Sequence, residues 1–133
     1  REFFPRFSPA VMVLIQRDQE ILLARSKHFK KGMYGAIAGF IDIRETAEMA
    51  ALREVTEETG LEITNLEYFS SQTWPFPDCF MIAFKADYLS GELSVDYDEL
   101  EDAKWFNLND LPDLPYSASV ARKLIESFIA KNK

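Results

Sequence analysis

The chain has 133 residues, which is enough for one ordinary domain and too few for two well-packed ones. Its composition, with 47% hydrophobic and 28% charged residues, excludes a disordered tail or a fibrous repeat. The net charge of −7 argues against broad binding of nucleic acid, which usually needs a basic surface.

The single cysteine and the short apolar runs indicate the cellular compartment in which the protein is found. Cys79 alone excludes an intramolecular disulfide and a structural zinc site made from this chain alone. Residues 10–15 form the longest strongly apolar stretch, which is far too short to cross a bilayer. We therefore expect a protein of the reducing cytoplasm with no membrane partner.

The predicted elements of the first half are three strands and a helix. Apolar runs bounded by turn signals predict strands over residues 10–16, 21–24 and 34–43. Thr46 is a typical helix N-cap and Gly60 a typical helix stop, so we expect a helix over residues 47–59. We expect its buried side to be formed by Leu52, with Met49 and Val55 on its flanks.

The second half continues the alternation of strands and helices. We predict strands within residues 61–72 and over residues 79–88 and 103–106, followed by an amphipathic helix over residues 117–131. The segment Trp74–Pro77 is expected to be irregular, because its two prolines fix the backbone and remove hydrogen-bond donors. Interleaved strands with two helices indicate a mixed α/β layered domain.

The charges are unevenly distributed along the chain. Residues 1–31 contain seven basic and three acidic side chains. Residues 42–62 contain seven acidic and two basic ones, and residues 92–103 contain six acidic ones and no basic one. Two acidic clusters in so small a domain suggest divalent metal ions, which prefer oxygen ligands.

The predicted helix concentrates carboxylates on one face. Glu54, Glu57 and Glu58 are neighbours there, and like charges at this spacing destabilise a helix by about 0.2–0.5 kcal/mol per pair. Ala47 and Ala50 lie on the same face and leave space above it. The pattern suits a hard cation, although a solvated acidic stripe is the alternative when the pattern is taken by itself.

The spacing of this region, residues 39–61 and called the signature segment below, is more specific than the charges. It matches G-x5-E-x7-R-E-U-x-E-E-x-G-U, where U is a bulky aliphatic residue, without a gap, at Gly39, Glu45, Arg53, Glu54, Val55, Glu57, Glu58, Gly60 and Leu61. The segment resembles the Nudix box of the Nudix hydrolase superfamily. The resemblance implies an αβα sandwich over residues 8–133, with a mixed sheet and a loop–helix–loop catalytic motif.

The resemblance also implies a hydrolase that acts on a nucleoside diphosphate linked to another moiety. Glu54, Glu57 and Glu58 would be catalytic and bind Mg²⁺ or Mn²⁺, because a diphosphate repels the attacking water unless its charge is neutralised. Glu57 or Glu58 is favoured as the base. Arg53 and Glu45 would hold the motif together, by a bidentate bridge or an ordinary surface one, and Gly39 and Gly60 would also be structural.

A second motif follows the signature segment. Residues 71–79, SQTWPFPDC, are similar to S-Q-P-W-P-F-P-x-S, which marks the NADH pyrophosphatase branch of the family. The proline-held aromatics would stack on a flat ring, and the alternative is a rigid turn with its aromatics in the core. Thr73 and Cys79 depart from the motif, and Cys79 is also typical of a small buried hydrophobic residue.

The similarity to this branch covers nearly the whole chain and implies further roles. Substrate would be contacted by Phe40, Trp74, Phe76, Cys79, Met81 and Ala121, and by Phe4 at the site of a dimer partner. Glu99 and Ala38 would complete the metal site. Residues 1–7 would be a linker and dimer arm of a homodimer. Because the branch carries a zinc ribbon upstream, we expect a catalytic-domain fragment that itself holds no zinc.

The composition of residues 25–31 predicts a basic loop that includes His28. The loop would attract the phosphates of a substrate or the 5′ end of an RNA, or it is merely solvated. His28 is disfavoured as the catalytic base, because metal-bound water and a glutamate of the signature segment suffice.

These features together predict hydrolysis of the diphosphate of NADH or NAD to nicotinamide mononucleotide and AMP, extending by resemblance to NAD caps on RNA. Hydrolysis of ADP-ribose or a dinucleoside polyphosphate is the alternative, and the departures at Thr73 and Cys79 keep it open. A catalytically silent NAD-binding module is disfavoured, because every glutamate of the signature segment is present.

Overall fold

The structure is a computed structural model that describes residues 8–26, 34–73, 79–98, 100–107, 109–112 and 120–131. The elements in chain order are β1 (Ser8–Arg17), β2 (Glu20–Ser26), β3 (Ile37–Phe40), α1 (Ala47–Thr59), β4 (Glu62–Thr73), β5 (Cys79–Ser90), β6 (Leu100–Asn107) and α2 (Val120–Lys131). Among these residues no helix is long and apolar enough to span a membrane.

Strand β1 is the centre of a six-stranded mixed sheet, in which five strands follow the order β4-β5-β1-β2-β6 and β3 pairs with β1 outside this order. It runs parallel to β5 along one side. On its other side it pairs antiparallel with β3 through Ala10 to Val13, and with β2 through Ile15 to Arg17. From Ala10 to Ile15 β1 is continuously apolar, as is typical of a strand covered on both faces.

The two helices cover opposite faces of this sheet. Val11, Val13 and Ile15 of β1 belong to the apolar cluster that α1 joins through Ala50, Ala51 and Val55. Ala10 and Leu14 belong to the cluster that α2 joins through Leu124, Ile125 and Phe128. Because successive strand residues point to opposite faces, one continuous apolar run supplies both cores. The prediction of an αβα sandwich with a mixed sheet is confirmed.

The ends of α1 are as predicted. The Thr46 hydroxyl accepts a hydrogen bond from the Met49 amide at 3.1 Å, which is the N-cap interaction. Gly60 adopts a φ of 74° and donates its amide to the Thr56 carbonyl at 2.9 Å. Glycine suits this left-handed position because it has no Cβ to clash.

The prediction for the buried side of α1 is wrong in part. Leu52 is 44% exposed and Met49 is 52% exposed, whereas Val55 is buried as expected. The side that faces the sheet is instead formed by Ala50, Ala51, Glu54, Val55, Glu58 and Thr59. Small alanines let the helix lie close to the sheet, and this rotation turns two carboxylates inward.

The strand bounds differ most at β3, which was predicted over residues 34–43 and spans only Ile37–Phe40. They differ less at β6, which was predicted over residues 103–106 and spans Leu100–Asn107. It pairs with β2 from Glu20 opposite Asn107 to Ser26 opposite Leu100. Its second and third residues, Glu101 and Asp102, are acidic and have low strand propensity, so the pairing with β2 decides their conformation. The predictions for residues 1–7, the basic loop beyond Ser26 and the segment Trp74–Pro77 fall outside the described residues.

Candidate functional site

The carboxylates of α1 have unequal surroundings. Glu54 is 9% exposed and Glu58 is 6% exposed, while Glu57 lies on the surface. A carboxylate is rarely this buried unless it is paired or binds a cation, because desolvation disfavours the charge. Among the described residues the Oε1 atom of Glu58 accepts no hydrogen bond, although the residue has other interactions.

Gly39 determines where the Glu54 carboxylate lies. A Cβ atom built on Gly39 would fall 1.6 Å from Oε2 and 2.1 Å from Cδ of Glu54. The carboxylate therefore lies directly against the backbone near the end of β3, in space that any other residue type would fill. This contact explains why the signature segment needs a glycine at this position.

Arg53 joins three parts of the signature segment. Its Nε and Nη2 atoms donate to Oε2 and Oε1 of Glu45 at 2.6 and 2.9 Å, so the bridge has the bidentate form. Nη2 also donates to the carbonyl of Phe40 at 3.0 Å. The loop, the end of β3 and α1 are thus held by one guanidinium.

The same group affects the charges around it. The hydrogen bond from Arg53, helped by the Asp42 amide, lowers the pKa of Glu45 to about 2. Hydrogen bonding to Glu45 in turn raises the pKa of Arg53 above its usual range. Arg53 Nη1 lies 3.2 Å from Glu57 Oε1 and 3.7 Å from Glu54 Oε1. One cation therefore partly offsets the repulsion between neighbouring carboxylates.

The second acidic cluster meets the end of α1 that carries Glu58. The amides of Asp96 and Ser94 donate to the carbonyls of Glu58 and Thr59 at 3.0 and 2.8 Å. The amide of Leu100, the first residue of β6, donates to the Asp96 carbonyl at 2.9 Å. Glu99, which precedes Leu100, lies outside the described residues. Sequence reasoning did not select Asp96, whose only signal was its place within the acidic run.

The described carboxylates do not by themselves enclose an ion. Within the described part of the chain, no group of three or more His, Cys, Asp or Glu side chains is arranged to hold a metal. Glu54 and Glu58 are turned inward, whereas Glu57 is exposed and bonded to Arg53. Two buried carboxylates are still the oxygen donors that Mg²⁺ and Mn²⁺ prefer, so the donor set fits such an ion.

The predicted substrate residues lie partly on the other face of the sheet. Phe40 is opposite Ala10, which is opposite Met81, so these side chains form a row on the face covered by α2. Phe40 is 63% exposed and Met81 only 9%. Ala38 is exposed on the same face as Phe40. The end of β3 therefore has a carboxylate on one face and an exposed aromatic ring on the other.

Of the remaining predicted substrate residues, the structure gives at most the place in a strand or helix. Cys79 begins β5 with Ser8 opposite it, and Ala121 lies in the first turn of α2. Phe4, Trp74 and Phe76 fall outside the described residues. The structure therefore brings together the glutamates, Arg53 and Gly39 of the signature segment. The contacts with substrate stay predictions.

Comparison with known proteins identifies the family. Residues 6–128 match the NUDIX domain. The chain is 49% identical over 128 residues to the NAD-capped RNA hydrolase NudC of Pseudomonas aeruginosa (strain LESB58), covering 96% of this chain and 46% of that protein. It is 51% identical over 128 residues to the protein of the same name from Pseudomonas syringae pv. syringae (strain B728a), with the same coverage of both. The chain thus spans about half the length of these relatives.

Solved structures agree with this assignment. A MutT NUDIX hydrolase from Burkholderia pseudomallei has a TM-score of 0.76 and 27% identity, covering 88% of this chain and 96% of that one. A NUDIX hydrolase from Nitrosomonas europaea has a TM-score of 0.80 at 19% identity, covering 93% of this chain and 70% of that one, and it supports the fold alone. The chain belongs to the NUDIX domain family.

Proposed function

We propose that this domain is a metal-dependent hydrolase that cleaves the diphosphate of NADH or NAD into nicotinamide mononucleotide and AMP. We also propose that it removes NAD caps from RNA. The observation that carries the proposal is the pair of buried carboxylates, Glu54 and Glu58, turned toward the sheet within an intact signature segment. The name of the relatives supports the choice of substrate, for a chain that spans 46% of their length.

Mg²⁺ or Mn²⁺ would be held by Glu54 and Glu58, joined by Glu57, Glu99 and the backbone of Ala38. Such an ion neutralises the charge of the diphosphate and activates the attacking water. Glu57 or Glu58 would accept the proton of that water. We favour Glu57, because it is exposed and can pass a proton to solvent, while the buried Glu58 suits a ligand.

Phe40 would stack on one base of the dinucleotide, since its exposed ring lies at the end of β3 next to Gly39. Arg53 fixes this position by binding the Phe40 carbonyl. Trp74, Phe76, Cys79, Met81 and Ala121 would complete the nucleotide site, and Phe4 would act at the site of the second protomer of a homodimer. The proposal also includes a zinc ribbon upstream of this domain. It further includes a location in the cytoplasm.

A panel of substrates tests the reaction. The chain is incubated with Mg²⁺ or Mn²⁺ and NADH, NAD, ADP-ribose, diadenosine polyphosphates or NAD-capped RNA, and the products are separated by chromatography. We expect NADH to be cleaved faster than ADP-ribose, with mononucleotides as products. A preference for ADP-ribose or a dinucleoside polyphosphate would identify the alternative that the departures at Thr73 and Cys79 leave open.

A matched pair of variants on one helix tests the site. Glu58→Gln removes a buried carboxylate, and Glu48→Gln removes an exposed one in the first turn of the same helix. We expect Glu58→Gln to lose both Mn²⁺ binding and turnover, and Glu48→Gln to keep both. Equal activity of the two variants would contradict the proposed site. A wild-type chain that binds NAD without cleaving it would identify a silent binding module.

A further inference from the structure

We infer that Asp96 is a positioning residue, which holds the turn at residues 96–98 in place against the metal-binding end of α1. The inference rests on the proposed function, because it concerns where the carboxylates of that site stand. It assigns to Asp96 no direct contact with the ion or the substrate.

Three hydrogen bonds meet at Asp96 and connect it to α1, to the turn that follows it and to the first residue of β6. Its amide donates to the carbonyl of Glu58 at 3.0 Å, and its carbonyl accepts the amide of Leu100 at 2.9 Å. Its side-chain Oδ1 accepts the amide of Asp98 at 3.1 Å, which closes a tight turn between the first two contacts. The backbone of Asp96 thus links Glu58 of α1 to Leu100 of β6 by hydrogen bonds.

The side-chain bond determines the shape of this path. An Asx turn needs an acceptor at the reach of an aspartate or asparagine side chain, and it does not need a charge. Without the bond from the Asp98 amide, the backbone after Asp96 loses one of its local constraints. The turn at residues 96–98 would then be free to shift relative to Glu58, although β6 itself stays paired with β2. Because residues that orient metal ligands typically change metal affinity by 10–100-fold when mutated, the loss should be measurable.

Two substitutions separate geometry from charge. Asp96→Asn keeps the acceptor and removes the charge, whereas Asp96→Glu keeps the charge on a side chain too long to close the same turn. We expect Asp96→Asn to bind Mn²⁺ like the wild type and Asp96→Glu to bind it about 10–100-fold more weakly. Binding is measured from the electron paramagnetic resonance signal of free Mn²⁺, with the melting temperature of each variant recorded alongside.

Asn107 offers a matched control at the far end of β6. Its Oδ1 accepts the amide of Asn109 at 2.9 Å and its carbonyl accepts the amide of Asp110 at 2.9 Å, so it closes a similar turn away from the site. Asn107→Ala should lower the melting temperature as much as Asp96→Glu does and leave the affinity for Mn²⁺ unchanged. A parallel loss of affinity in Asn107→Ala would attribute the effect to general destabilisation and overturn the inference.

The outcomes distinguish this inference from the proposed function. Loss of affinity in Asp96→Asn would mean that Asp96 acts through its charge, and wild-type affinity in Asp96→Glu would mean that the turn is unimportant. Either result overturns the inference alone. If the wild-type chain binds no Mn²⁺, or Glu58→Gln binds it equally well, the proposed metal site fails and the inference fails with it.

Discussion

Replacing Gly39 by alanine should separate stability from activity in this protein. The added Cβ would lie 1.6 Å from Oε2 of Glu54, and ordinary contact begins near 3.4 Å, so the carboxylate must move by roughly 1.8 Å. The three nearest atoms all belong to the flexible side chain of Glu54, from Cγ at 2.7 Å outward, and Gly39 does not have the positive φ found at Gly60 and Gly91. Alanine in a strand is about 0.5–1 kcal/mol more favourable than glycine.

We therefore expect Gly39→Ala to unfold at the same or a higher urea concentration than the wild type. Turnover should fall by about 100-fold, because a displacement of about 1 Å in a reacting group can cost this much. Urea unfolding and steady-state hydrolysis of NADH on the same preparation measure the two effects. Turnover at the wild-type rate would mean that Glu54 does not need its position beside Gly39.

Gly91→Ala provides the contrasting control. Its φ of 101° is unfavourable for alanine, and a Cβ would lie 2.9 Å from the carbonyl oxygen of Gly60, which is backbone and cannot turn aside. We expect this variant to lose stability while its folded fraction keeps turnover. Gly39→Ala would then lower turnover and keep stability, and Gly91→Ala would lower stability and keep turnover. The reason is that a Cβ meets the Glu54 side chain at Gly39 and backbone at Gly91.

Two further predictions concern the signature segment. The folded pKa of Glu45 is about 2, below its usual value near 4.5, so the Arg53 bridge stabilises the fold above pH 4.5 and this contribution is lost as the pH falls toward 2. Glu45→Gln should remove that part of the pH dependence in urea unfolding between pH 2 and 5, and an unchanged profile would contradict the assigned cause. Thr46→Ala should destabilise the protein by about 1 kcal/mol, because it removes the acceptor for the Met49 amide. A change in unfolding free energy below about 0.3 kcal/mol would mean that the cap is unimportant.

The local features of the sequence predicted the elements that depend on near neighbours. Thr46 and Gly60 predicted both ends of α1, since a capping bond and a left-handed turn involve residues only a few positions apart. The spacing of the signature segment likewise placed Gly39, Glu45, Arg53 and the glutamates in one motif. The partner of Arg53 was predictable, because the carboxylate of Glu45 precedes it in the same motif.

Contacts between distant parts of the chain determined the orientation of α1 and the burial of its side chains. Periodicity showed that α1 has an acidic side and an apolar one, but it gave no reason why the acidic Glu54 and Glu58 should be buried and Leu52 exposed. That orientation follows from the close approach of Ala50 and Ala51 to the sheet and from the gap above Gly39. The residue types and their spacing identify the side chains that could bind a metal ion. Which of these side chains are withdrawn from water is a tertiary effect, because burial depends on what packs against a face rather than on the face itself.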